Sequence, residues 1–190
     1  MNAVYRGLGL TILSAAVLMT GAPVQAGAAE TFTATATVKT ADGKTGSAPM
    51  TITIDRMMPA GEAAPLVAAF KSGGSDAFRK ALVGVAPTGS VKVGDGKVVP
   101  TRMSVERTTG GGRLLTIVTD QTLVFIGGGA ANAKPKAGYD YAVIDLILDA
   151  NNAGTGTVAP AAKLKLNGDA FVVEDYSGEV VRLTAIKKTK

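Results

Sequence analysis

Residues 31 to 38 alternate threonine with apolar side chains. Phe32, Ala34, Ala36 and Val38 fall on one side of an extended backbone, and Thr31, Thr33, Thr35 and Thr37 on the other. A helix cannot use this period-two pattern, because it would scatter the apolar groups around its circumference. Met50-Thr51-Ile52-Thr53-Ile54 repeats the pattern, and Asp42-Gly43 offers a turn between the two runs. The opening of the chain is therefore predicted to be an antiparallel hairpin with a longish loop.

The grammar changes between residues 59 and 84. Ala, Leu, Lys and Glu replace the β-branched residues, and Leu66 and Phe70 recur at helical spacing. Pro65 is tolerated in a first turn, where backbone donors have no helical partner. Gly73-Gly74 ends this helix, and Ser75-Asp76 caps a second that carries Phe78 and Leu82 on one side. A two-helix insertion is the expectation.

Strand patterning returns at Ser90. Predicted strands cover 90–93, 98–108, 113–119, 122–126, 141–149, 157–166, 170–176 and 179–186, separated by turn formers such as Asp95-Gly96, Gly110-Gly111-Gly112 and Asn167-Gly168. Short connections of this kind join antiparallel neighbours. With the opening hairpin the total is about ten strands, which suits an antiparallel β-barrel or a two-layer β-sandwich. A transmembrane barrel is disfavoured by the shortage of aromatic residues for interfacial girdles.

Residues 1–26 have a different character. Arg6 precedes an uncharged apolar run from Leu8 to Met19, Pro23 breaks the chain, and Val24-Gln25-Ala26 offers small residues for a signal peptidase. The run is short of the roughly 20 residues that a spanning helix needs. Residues 1–26 are read as a cleaved export signal, and 27–190 as one antiparallel β domain in the periplasm or outside the cell. No transmembrane span is expected after cleavage.

The composition restricts chemistry further. There is no cysteine and no histidine, which removes disulfides, thiol nucleophiles, imidazole-based triads and zinc sites of the usual kind. Tryptophan is absent too, and the net charge of +5 is spread mostly over single residues, so neither a stacking platform nor a nucleic-acid interface is expected. The glycine-rich stretches at 94–97, 110–113 and 127–129 lack the Gly-Lys-Ser/Thr of a phosphate loop and read as turns. No cofactor and no metal is expected.

Asp140, Asp145 and Asp149, with Tyr139 and Tyr141, form the densest polar cluster in the sequence. In a strand, Asp145 and Asp149 stand roughly 13 Å apart, wide for paired acid catalysis or calcium. A solvated sheet face is the expectation there. A tight turn at 177–178 would make Asp175 the diagonal neighbour of Arg182 across a hairpin. No catalytic residue is proposed from these patterns.

Two features carry the functional expectation. Phe70, Phe78 and Leu82 on the helical pair could line an apolar pocket. The long loop from Gly127 to Tyr139 carries Lys134 and Lys136, which could receive an anionic head group, with Tyr139 at its end. The phrases Thr108-Thr109-Gly110-Gly111-Gly112-Arg113, Lys134-Pro135-Lys136-Ala137-Gly138-Tyr139-Asp140 and Val172-Val173-Glu174-Asp175-Tyr176 resemble a family of small exported bacterial β proteins with no known activity. That resemblance implies an envelope or secreted location and brings no site with it. The expected function is non-enzymatic binding of a small apolar or amphipathic ligand. The alternatives are a protein-interaction or structural module, using an exposed strand edge or the lysine-bearing loop, and a carboxylate-dependent hydrolase.

Overall fold

The computed structural model describes residues 28–39, 43, 45–124, 137–176 and 180–190. The expected export signal lies outside them. In chain order the elements are β1 (Glu30–Lys39), β2 (Thr45–Ile54), α1 (Ala60–Val83), β3 (Gly89–Val93), β4 (Val99–Thr109), β5 (Gly112–Thr119), β6 (Tyr141–Asp149), β7 (Gly154–Asn167), β8 (Ala170–Tyr176) and β9 (Val181–Lys188). The predicted opening hairpin forms, with Glu30 opposite Ile54 and Lys39 opposite Thr45.

Every strand pairing is antiparallel, and the order β6-β5-β4-β3-β2-β1-β9-β7 returns to β6 because β7 also pairs with β6. Eight strands therefore close into a barrel, and β8 is an additional strand. A two-layer sandwich is not what forms. Closure removes the open edges that a sandwich of this size would leave. Of the predicted strands, 122–126 is not found: Thr122–Val124 are irregular, and the remaining residues of that stretch lie outside the described set.

The apolar face of the alternation fills the barrel. Phe32, Ala34 and Ala36 from β1, Met50 and Ile52 from β2, Leu115 and Ile117 from β5, Ile144 and Leu146 from β6, and Leu183 and Ile186 from β9 belong to one buried cluster. The barrel packs tightly where strands end. A side chain at Gly112 or Gly154 would run into the backbone carbonyls of Leu148 or Ile147, so only glycine lets β5 and β7 approach the end of β6 this closely.

The helical insertion, α1, consists of two helical stretches joined across a kink. Its backbone leaves helical geometry only at Gly73 and Gly74, the pair expected to separate them. It lies on the outside of the wall. Ala142 and Ile144 face the interior, whereas Tyr141 and Val143, on the opposite side of the same strand, join Leu66, Phe78 and Leu82 of α1 in a second buried cluster. Among the described residues no helix is long and apolar enough to cross a membrane.

The turn predicted at 177–178 lies outside the described residues, but among the described residues β8 does not pair with β9 as that tight hairpin would require. Ala162 of β7 is opposite both Tyr141 of β6 and Tyr176 of β8, so β6 and β8 lie on opposite edges of β7. Val158 of β7 is opposite Val181 of β9, on the β8 side. β8 and β9 therefore run end to end along one edge of β7. Arg182 consequently stands opposite Thr37 and Thr157 and not beside Asp175.

Candidate functional site

Three places gather chemistry-bearing side chains: one end of the barrel, its outer wall, and the ribbon that β7 and β8 build beyond it. At the end where β1 begins and β9 finishes, the inward alternation continues into charged residues. Phe32, Leu115 and Ile186 face the interior, so Glu30, Arg113 and Lys188, two residues nearer the rim, do so as well. Arg113 Nη2 donates to Glu30 Oε1 at 2.9 Å and to Asn152 Oδ1 at 2.5 Å, while Nη1 donates to Glu106 Oε2 at 3.0 Å. Lys188 Nζ donates to the same Glu30 oxygen at 2.6 Å. The guanidinium lies 5.8 Å from the centre of the Phe32 ring.

Two cations and two carboxylates thus close this end without excess charge. Burial alone would raise the Glu30 carboxyl, but the hydrogen bonds and charges of Arg113 and Lys188 outweigh it and hold the group below its ordinary range. Burial likewise opposes the charge on Arg113, and Glu30 and Glu106 more than compensate. A carboxylate held ionised in this way cannot serve as the general acid of a hydrolase at neutral pH. The second Glu30 oxygen is buried and has no hydrogen-bond partner among the described residues. The cluster is a stopper that ties five segments of the barrel rim together.

On the outer wall Asp145 stands between Thr116 and Thr157. Thr116 Oγ1 donates to it at 2.6 Å, and burial pushes its carboxyl above the usual range, against that hydrogen bond. The solvated face expected there is in fact half-buried. Among the described residues no group of three or more His, Cys, Asp or Glu is placed to hold a metal.

Of the six side chains expected to bind a ligand, Phe78 and Leu82 are fully buried between α1 and the wall. Phe70 is half-buried, with its ring 5.7 Å from those of Phe78 and Phe171. Phe78 also lies 4.5 Å from Phe171 and 5.3 Å from Tyr141. Tyr141 Oη donates to the Ser75 carbonyl at 2.8 Å, anchoring the restart of α1 after its break. Tyr139 is buried and donates to Asp175 Oδ2 at 2.5 Å, and that bond raises the phenol's pKa. Lys134 and Lys136 lie outside the described residues. The structure thus brings Phe70, Phe78 and Leu82 together, and it adds Phe171 and Tyr141. The signal for Phe171 was its place in the alternation of 170–176; nothing local marked the strand as the partner of α1.

The third place is β8 itself. Its first residues fold back on β7 through the Gly168-Asp169 turn, with Ala170 opposite Asn167, Phe171 opposite Leu166 and Val172 opposite Lys165. Pairing around a two-residue turn points the backbone groups of Ala170 and Val172 toward β7 and those of Phe171 and Val173 away from it. Among the described residues β8 pairs with β7 alone. The stretch Ala170–Val173 contains none of the charges, prolines or glycines that usually protect such an edge. Behind it, Phe171 makes aromatic contacts with Phe70 and Phe78, and Lys71 Nζ reaches Asp169 Oδ1 at 2.6 Å in an exposed ion pair.

Compared with known proteins, the chain matches no family model, no curated protein and no solved structure.

Proposed function

We propose that the protein is a non-enzymatic interaction module, a packed barrel that offers the open edge of β8 to an extended segment of a partner, which adds to it as a further strand. The observation that carries this reading is the edge itself: a neutral run from Ala170 to Val173, with no strand on its outer side among the described residues and already fixed against α1. A preformed edge costs a partner little ordering on this side of the interface. The export signal read in residues 1–26 would place this module in the envelope or outside the cell.

Packing favours this reading over a small-ligand carrier. Phe32, Ile52, Leu115 and Ile144, which would have to line a cavity in the barrel, are each fully buried in one contiguous cluster, as expected of an eight-stranded barrel filled by its own side chains. The helix face expected to form a pocket is occupied by the rings of Phe70, Phe78, Phe171 and Tyr141.

A photoreactive amino acid at position 172, introduced in the native host, tests the proposal. Irradiation is expected to give a discrete adduct from position 172 and none from position 51, an exposed site on β2. No adduct from 172, or the same products from both positions, would contradict it.

A further inference from the structure

We propose that residues 187–190 are an acid-released latch over one end of the barrel, hinged at the bulge of β9 and fastened by the ion pair of Lys188 with Glu30. Two observations bound the moving piece. The ladder of β9 with β1 pairs Phe32 with Lys188 and Thr33 with Lys187, then slips before resuming at Thr35 and Thr184. Ala185, within that slip, has φ 51°, so a bulge with a strained residue separates the last rungs from the rest of the ladder. On the other edge of β9 the pairing with β7 ends at Ile186, opposite Gly154. Beyond the bulge the backbone therefore pairs with β1 alone among the described residues. Thr189 N donates to the Thr31 carbonyl at 2.8 Å, and Thr31 N to that of Lys190 at 3.1 Å. β1 itself stays in place, because its residues from Glu30 to Thr33 also pair with β2.

The charges decide when the latch opens. Lys188 of β9 and Arg113 of β5 face Glu30, and β2 sets the apolar Ile54 opposite it. Glu106 of β4 faces Arg113, while the Asp149 carboxylate is taken up by the amides of Asn151 and Ala153 in its own turn. Among the described residues Glu30 is the one carboxylate that Lys188 reaches. Burial opposes the charge on Glu30, and Arg113 and Lys188 outweigh it and hold the carboxyl below its ordinary range. The fastening is therefore present above the unfolded carboxylate pKa and is lost as pH falls through the folded value. Once Glu30 is protonated, two cations share a neutral group. Arg113, 17% exposed and still bonded to Asn152, stays. Lys188, 34% exposed on a flexible stem, leaves for solvent and takes the last rungs of β9 with it. The Phe32 end of the barrel interior is then uncovered.

Residue-resolved amide exchange of the purified protein, expressed as protection relative to an unstructured chain at the same pH, tests the proposal. Between about pH 7 and about pH 3, the Thr31 and Thr189 amides are expected to lose protection at least about tenfold, while Ile52, Leu115 and Ile144 keep theirs. Lys188→Met removes the cation that loses its partner, and is expected to shrink the acid loss at these two amides to under about twofold. Glu30→Gln is expected to show the low protection of Thr31 and Thr189 already at neutral pH. Equal loss at the rim and in the middle of the barrel would overturn the proposal, as would no loss at the rim. So would a Lys188→Met protein as acid-sensitive at Thr31 and Thr189 as the wild type, or a Glu30→Gln protein with wild-type protection there.

Discussion

Asp145 and Glu30 are carboxylates whose surroundings push them in opposite directions. For Asp145, burial raises the carboxyl above its unfolded value. The fold therefore favours its protonated form, and the associated stability is fully present below the unfolded pKa and is lost as pH rises through the folded one. Asp145→Asn removes the charge and keeps an oxygen for Thr116. It is expected to raise stability at pH 7 by about 1 kcal/mol, with the gain vanishing in acid, as read by urea denaturation at both pH values. Glu30 behaves inversely. Its carboxyl is held down by Arg113 and Lys188, so its contribution is present above the unfolded pKa and is lost as pH falls through the folded value. Arg113→Met would leave Glu30 with Lys188 alone, and Glu106 and Asn152 without their donor. The expected loss is roughly 3 kcal/mol at pH 7, together with a flatter decline toward acid. None of this was legible in the sequence, where Arg113 and Glu30 are single charges separated by 83 positions that only closure of the barrel brings together.

Within elements, backbone conformation decides more than side-chain contact. Gly74 has φ 64° and ψ −153° in the middle of α1, a region closed to residues with a Cβ, and nothing stands near the position a Cβ would take. Gly74→Ala is expected to destabilise by about 1–2 kcal/mol through the backbone alone, measured by thermal denaturation. Ala185 in β9 has φ 51°, and the register against β1 and β7 slips around it. That extra residue lets Leu183 and Ile186 both face the interior. Ala185→Gly keeps the bulge and relieves the strain, so a gain of roughly 0.5–1 kcal/mol is expected. The strands themselves were largely legible, since 141–149 and 170–176 follow directly from period-two patterning. The helical insertion and its glycine break were legible as well. The end-to-end arrangement of β8 and β9 was hidden, because it depends on β7 being long enough to pair with both.

For the whole molecule, the decisive event is the pairing of β6 with β7, which converts a sheet into a closed barrel and leaves β8 outside it. Alternation fixes which side chains face inward but is equally compatible with a sandwich, so barrel and sandwich could not be separated beforehand. The candidate site followed the same logic. Phe70, Phe78 and Leu82 were marked correctly as one apolar stripe, but whether such a stripe lines a pocket or seals a wall depends on the strand behind it. Here that strand brings Phe171. That β8 is the strand left outside the barrel required the topology.

Amide hydrogen exchange in dilute solution, resolved by residue, tests the central claim of a closed, solid barrel whose β8 has no strand on its outer side among the described residues. Slow exchange is expected at Ile52, Leu115, Ile144 and Leu146. Fast exchange is expected at Phe171 and Val173, flanked by slower Ala170 and Val172. Uniform protection across β8, or rapid exchange along β6 and β7 where the barrel closes, would contradict it.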